Sequence, residues 1–222
     1  MNQLAAAPET KRVLIVEDHS ILTQSLALTF RLEGMEPHVA EDLTDAAVIA
    51  DVRRLHPDLV LLDLYLGGGR DSLSMIPPLR ALEIPVLVLT GSADEGLQGA
   101  ALDAGAAAVL LKGDSLERLC AAIHDVIDGY VTMRPARRDE LVALGRRRRR
   151  LQDRVNRLSK REAEVLVALA DGHTAEMIAA RQFVSLGTVR THVRSILRKL
   201  EVNSQLAAVA TARQAGWSTS QS

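Results

Sequence analysis

The sequence predicts two domains of different class: an α/β domain with a doubly wound, five-stranded parallel sheet, then a smaller all-α domain of four helices. Two observations predict it. Between residues 13 and 133 five short apolar runs alternate with stretches of helical periodicity, whereas the last third of the chain shows helical patterns only. The charge divides in the same place: residues 1–133 hold 9 Lys and Arg against 20 Asp and Glu, and residues 134–222 hold 18 against 8, about −11 and +10 within a net charge of −1. With 222 residues, each part can bury its own core.

In the acidic part VLIV (13–16), LVLL (59–62), VLVL (86–89) and AVLL (108–111) are apolar throughout and of strand length, as central strands covered on both faces require. A weaker second strand falls near Pro37 to Ala40. Helical patterns intervene at 20–32, 44–55, 72–82, 94–104 and 115–127, with Pro77-Pro78 marking the least regular. This is βα repeated five times.

In such a sheet the useful groups collect at the C-terminal strand ends. Here those ends carry Glu17 and Asp18, Asp63, Thr90, and Lys112. A single Asp there often does no more than cap the next helix. Three carboxylates brought together repel one another unless a cation sits among them, and dense oxygen ligands suit Mg²⁺. A carboxylate nucleophile attacking a phosphoryl group needs its charge offset, which a metal and Lys112 can do, and the Thr90 hydroxyl can donate to a phosphoryl oxygen.

The constellation resembles the receiver domain of two-component response regulators, with its CheY/flavodoxin-like sheet, across residues 11–130. The resemblance implies that Asp63 is the phosphoacceptor and that Glu17, Asp18 and Asp63 hold Mg²⁺ together with the backbone carbonyl of Tyr65. It further implies that Lys112 contacts the phosphoryl group and that Thr90 couples it to the loops after the fourth and fifth strands. The donor would be a phosphohistidine on a cognate sensor histidine kinase. Three positions depart from the pattern. LYLGGGRDSL lacks the usual Met-Pro pair, and Gly67 to Gly69 lack the Lys-Thr that a nucleotide-binding loop needs. Val109 stands where a switch aromatic is common, and Gly113 where a proline often follows the lysine.

At the junction, residues 133–162, Pro135 breaks or starts a helix, and Leu141, Leu144, Leu151, Val155 and Leu158 are spaced for one apolar side, so the linker is expected to be partly helical. Arg146 to Arg150 spread around a helix and cannot share one face; phosphate contact, solvated surface and contact with the acidic part all remain open. Ser159 and Glu162 have capping-box spacing, Val165, Leu166 and Leu169 are at core spacing, and Asp171-Gly172 stops that helix. Thr174 opens a second helix, in which Met177, Ile178 and Arg181 alternate between interior and surface, and Phe183-Val184 turns the corner. In the third, Val189, Val193, Ile196, Leu197 and Leu200 share one sector while Arg190, Thr191, Arg194 and Arg198 lie opposite. Ser204 to Ala215 forms a fourth.

Two helices joined by a tight corner, the second basic on its outer face, have the geometry of a helix-turn-helix. The combination REAEVL, EMIA, GTVRTHV and ILRKL resembles the LuxR/NarL-type DNA-binding domain over almost its whole length. That resemblance implies a four-helix domain binding DNA as a dimer, with Arg190, Thr191 and Arg194 facing the major groove and Thr188 and Lys199 meeting the backbone. His192, at the edge of the apolar sector, reads as a packed or hydrogen-bonded histidine, and Cys120, within LERLCAAI, as inert core.

Joined, the halves read as a response regulator of the NarL/LuxR, FixJ-like, family. Its receiver would accept a phosphoryl group on Asp63, and the protein would control transcription through dimeric major-groove binding at promoter DNA. The competing reading is an atypical receiver that binds DNA independently of phosphorylation. A haloacid-dehalogenase-like phosphohydrolase would need a second acid two residues after its nucleophile, on the first strand; Tyr65 stands there instead, on the third, so no enzyme is expected. The expected organisation is a flexible N-terminus (1–10), receiver (11–133), basic linker (134–157), DNA-binding domain (158–217) and flexible tail (218–222). Partners would be double-stranded DNA, the sensor kinase and a second copy when phosphorylated, with RNA polymerase a candidate and no membrane. No window approaches 18 uncharged apolar residues, MNQLAAAPETKR lacks the order of a signal peptide, and one cysteine fits a reducing cytoplasm.

Overall fold

A computed structural model describes residues 10–67 and 70–217. Most of the two expected flexible ends, and Gly68 and Gly69 of the glycine-rich loop, lie outside the described residues. The chain divides into two compact units, Met1–Gly145 and Arg146–Ser222.

The first unit holds five parallel strands: β1 (Arg12–Val16), β2 (Glu36–Val39), β3 (Leu59–Asp63), β6 (Val86–Thr90) and β7 (Ala108–Leu111), in the order β2-β1-β3-β6-β7. Period-two alternation sends Val13 and Ile15 into the apolar layer with Phe30, Leu119 and Ile123. It sends Leu14 and Val16 into the opposite layer with Val48, Ile76 and Leu97. One layer therefore rests on α1 (Ser20–Leu32) and α5 (Leu116–Ile127), the other on α2 (Asp45–Leu55), α3 (Ile76–Ala81) and α4 (Glu95–Ala104). This is the doubly wound sheet that the apolar runs predict. Strand order reverses between β1 and β3, which opens the crevice at their C-terminal ends.

Two stretches differ from the expectation. The loop after β3 folds into a two-stranded antiparallel ribbon, β4 (Tyr65–Leu66) and β5 (Arg70–Asp71), which periodicity over so few residues does not signal. Leu66 is buried, and the Ser72 hydroxyl donates to the Asp63 carbonyl at 2.6 Å, so the ribbon is anchored at both ends. The junction, expected to be partly helical, is one continuous helix, α6 (Pro135–Val155), with proline at its first position, where a missing N–H costs nothing.

The second unit packs α7 (Lys160–Ala170), α8 (Ala175–Arg181), α9 (Leu186–Leu200) and α10 (Gln205–Gln214) around Val165, Leu166, Ile178, Val189, Ile196 and Leu200. Each starts on a hydroxyl cap: Ser159, Thr174, Ser185 and Ser204 accept from the backbone N–H groups of Glu162, Met177, Thr188 and Ala207. Such caps fix where each helix begins. Cys120 is buried in the first unit, where burial pushes its thiol pKa up, away from reactivity.

Candidate functional site

Pairing of Val16 with Leu62 puts the residues just beyond β1 beside Asp63, the last residue of β3, and pairing of Thr90 with Leu111 brings Thr90 beside the start of the β7–α5 loop. The sheet thus assembles Glu17, Asp18, Asp63, Thr90 and Lys112 from four separate stretches of chain. Asp63 and Glu17 are 3% and 6% exposed, and Thr90 is fully buried. Lys112 Nζ lies 2.7 Å from Glu17 Oε2 and 2.9 Å from Asp63 Oδ2, one ammonium shared between two buried carboxylates. The backbone N–H of Tyr65 donates to Asp63 Oδ1 at 3.3 Å, and that of Gly67 to Asp18 Oδ2 at 2.9 Å.

Electrostatics follow from this crowding. Burial raises the Asp63 pKa against the hydrogen bond from Lys112, and the charge of Glu17 raises it further. Burial works against the Lys112 charge too, but hydrogen bonding to Glu17 and Asp63 and their negative charge outweigh it, and its pKa is raised. Two acids compete for one cation. Oxygens of Glu17, Asp18 and Asp63 and the ring of His19 come within 4.8 Å of one another, a grouping able to hold a divalent ion. The predominance of hard oxygen donors at that spacing fits a cation of the Mg²⁺ type.

Sequence reasoning did not single out three neighbours of this cluster. His19 Nδ1 lies 2.6 Å from Glu17 Oε1 and 2.9 Å from Asp18 Oδ1, and the Glu17 hydrogen bond and then the Asp18 charge raise its pKa. Ser72 ties down the Asp63 carbonyl. Ser92 donates its backbone N–H to Thr90 Oγ1 at 3.0 Å. Adjacency to Glu17-Asp18 could have flagged His19, whereas the two serines carry no local signal.

In the second unit Arg190, Thr191 and Arg194 are exposed on the side of α9 opposite the buried Val189 and Val193. The Thr191 hydroxyl donates to the Gly187 carbonyl at 3.0 Å, and Thr188 Oγ1 lies 2.9 Å from Ser185 Oγ, within the N-terminal turn of that helix. Met177 is half-exposed while Ile178 is buried, the alternation expected in α8. Lys199 sits apart from the other basic residues. Its Nζ donates to Glu162 Oε2 at 2.6 Å and to the Arg157 carbonyl at 3.0 Å, so it is engaged inside the domain. Among the described residues no helix is long and apolar enough to cross a membrane.

Comparison with known proteins places these two arrangements. Residues 13–124 match the response regulator receiver domain, and residues 156–212 match the luxR family of bacterial regulatory proteins. The probable transcriptional regulatory protein NarL of Mycobacterium tuberculosis is 33% identical over 207 residues, covering 92% of this chain and 94% of that protein. The response regulator protein VraR of Staphylococcus aureus is 30% identical over 92% of this chain and 97% of its own. Among solved structures, the two-component response regulator RcsB in a DNA complex shares the fold with a TM-score of 0.52 at 22% identity, covering 92% of this chain and 98% of that one. The chain therefore belongs to the NarL/LuxR family of two-component response regulators, transcriptional regulators that join a CheY-like receiver to a LuxR-type helix-turn-helix domain.

Proposed function

We propose that the receiver takes a phosphoryl group onto Asp63 from a phosphohistidine on a sensor histidine kinase, and that this controls binding of the second unit to promoter DNA as a dimer. The observation that carries the reading is the shared ammonium: Lys112 pairs with the buried carboxylates of Asp63 and Glu17, and the exposed Asp18 completes a three-carboxylate cluster beside them. In the transfer a P–N bond breaks at the donor and a P–O bond forms to a carboxylate oxygen of Asp63. Lys112 then turns from Asp63 toward the phosphoryl oxygens. Thr90, whose Oγ1 accepts from Ser92 before transfer, would rotate away from that N–H to donate its hydroxyl hydrogen to one of them. Glu17, Asp18 and the Asp63 carboxylate, with the Tyr65 carbonyl, would hold Mg²⁺, which when bound offsets negative charge at the reacting oxygens.

On DNA, Arg190, Thr191 and Arg194 would reach base edges in the major groove, with Thr188 at the phosphate backbone near the α9 N-terminus. Lys199, on the same helix, would meet the phosphate backbone with the N–H that its bonds to Glu162 and the Arg157 carbonyl leave over, while those bonds position α9 against α7. The relative RcsB has been solved with DNA, which supports a duplex as the ligand here. A test compares wild type with Asp63→Asn, incubated with a small phosphodonor and Mg²⁺. Wild type should acquire one base-labile acyl phosphate and bind promoter DNA more tightly; Asp63→Asn should do neither. Equal incorporation in both proteins would remove Asp63 from the role.

A further inference from the structure

The middle of α4 and the middle of α6 both contain a glycine that local structure does not require. Gly99 and Gly145 lie inside helices, neither with positive φ, where glycine is the poorest helix former after proline. Their environment supplies the reason. A Cβ on Gly99 would stand 2.6 Å from the Leu141 carbonyl carbon and 2.9 Å from Gly145 N, and one on Gly145 would collide with the backbone of Gly99 and Ala100. The two helices cross backbone to backbone, and any side chain at either position forces them apart.

Other contacts fix the crossing. Leu141 is 2% exposed, one helical turn before Gly145 on the same face. Arg137 pairs with Glu95 in the first turn of α4. The Arg138 guanidinium donates to the carbonyls of Ala106 and Ala107 at 2.9 and 3.0 Å, at the entry to β7. The start of the basic junction is therefore a sixth helix of the receiver unit. The same helix continues to Val155, whose side chain lies in the core of the second unit.

A chain of hydrogen bonds leads from the acceptor site to this crossing. Ser92 N–H donates to Thr90 Oγ1 at 3.0 Å, the Ser92 hydroxyl accepts from Asp94 N–H at 3.2 Å, and Gln98 Nε2 donates to the Ser92 carbonyl at 3.0 Å. Asp94 caps α4, and Gln98 immediately precedes Gly99. When Thr90 turns to a phosphoryl oxygen, Ser92 loses its acceptor, and the loop that holds both the cap and Gln98 is released. Position 109 is Val, so no aromatic side chain competes for this task.

We propose that the Gly99–Gly145 crossing is the output contact of the receiver: α6 is locked on α4 in the unphosphorylated chain, and phosphorylation of Asp63 unlocks it through Thr90, Ser92 and Gln98. This rests on the reading of Asp63 as phosphoacceptor. Gln98 acts as a positioning residue and touches no reacting atom.

Hydrogen exchange on the full-length chain, with Mg²⁺ and with or without beryllofluoride as the phosphoryl mimic, tests it. In wild type the mimic should slow amides around Asp63 and Thr90 and speed those of residues 139–145 by about tenfold, the sign of local opening. Gly145→Ala and Gly99→Ala should exchange rapidly at 139–145 without the mimic. Alanine is the better helix former, so faster exchange there reports lost docking and not a weaker helix. Arg138→Gln, which adds no bulk, should move the same way. Gln98→Ala should keep the response at Asp63 and lose it at 139–145. Slow exchange at 139–145 in Gly145→Ala, or an unchanged wild-type α6 while the Asp63 amides respond, overturns the proposal. No response at Asp63 itself would instead sink the phosphoacceptor reading, and the glycine variants would still decide whether α6 is locked.

Discussion

Glu162 carries one buried charge on which the cap of α7 and the C-terminal half of α9 converge, and removing that charge should destabilise the unit measurably. Its side chain is 6% exposed, and Oε2 accepts from Ser159 N–H and from Lys199 Nζ, each at 2.6 Å. Burial alone would raise its pKa, but hydrogen bonds from Lys199, Ser195 and Ser159 outweigh burial and hold it at about 2, against an ordinary 4.5. A difference of about 2.5 pH units corresponds to about 3 kcal/mol of stability for the charged form, the same order as the 3–5 kcal/mol typical of breaking a buried ion pair. The perturbation to make is Glu162→Gln. Glutamine still serves a capping box at that position, so the substitution removes the pairing with Lys199 and leaves the start of α7 capped.

Trp217, the only tryptophan in the chain, packs against the core of this unit and reports its unfolding by fluorescence. In urea at pH 7, Glu162→Gln should lose about 3 kcal/mol relative to wild type. The sign with pH is fixed because the folded-state pKa is depressed. The stabilisation is fully present above about 4.5 and is lost as pH falls toward 2, so the gap between the two proteins should shrink to less than half near pH 3. A gap below about 0.5 kcal/mol at pH 7, or one that stays constant between pH 6 and pH 3, would refute the argument.

Three further outcomes follow from the two sites. Replacing Arg190 or Arg194 with Ala should cost about 1 to 3 kcal/mol on the preferred duplex and blur its sequence preference, as read by gel shift; equal losses on random DNA would count against base readout. Lys112→Ala leaves Glu17 and Asp63 facing one another without their shared cation, so thermal melts followed by circular dichroism should show a loss that Mg²⁺ restores more in the variant than in wild type. An equal response to Mg²⁺ would mean the carboxylates do not form one cluster. Thr90→Ala should still form the acyl phosphate yet fail to gain affinity for DNA, and a normal gain would show that the signal bypasses this hydroxyl.

Both fold classes were legible because they rest on local periodicity. LVLL and VLVL have the length and uniform apolarity expected of strands covered on both sides, and the capping box at Ser159 and Glu162 marks a helix start at the residue where one occurs. The grouping of Glu17, Asp18, Asp63, Thr90 and Lys112 was legible because a parallel sheet delivers its strand ends to one crevice. The β4–β5 ribbon was not, since two-residue strands have no period to detect. Lys199 shows a different limit. The family resemblance implied a phosphate contact for it, and nothing local reveals that Glu162, 37 residues earlier, is folded against it.

The same limit explains why the junction looked like a linker. Sequence treats Gly99 and Gly145 as two weak points in two helices, because helix propensity is a property of one residue at a time. Only their contact turns both defects into one requirement, as either Cβ would strike the other helix. Arg137 and Arg138 likewise read as the front of an arginine-rich stretch, yet they pair with Glu95 and with the carbonyls of Ala106 and Ala107, while Arg146 to Arg150 fall in the other unit. The charge boundary that composition places near residue 134 and the packing boundary at Gly145 are therefore different boundaries, and the segment between them is basic in composition but belongs by contact to the acidic receiver. Arg137, Arg138, Leu141 and Gly145 are thus receiver residues that composition alone assigns to the DNA-binding part, and the variants that separate the two assignments are those at Gly99 and Gly145.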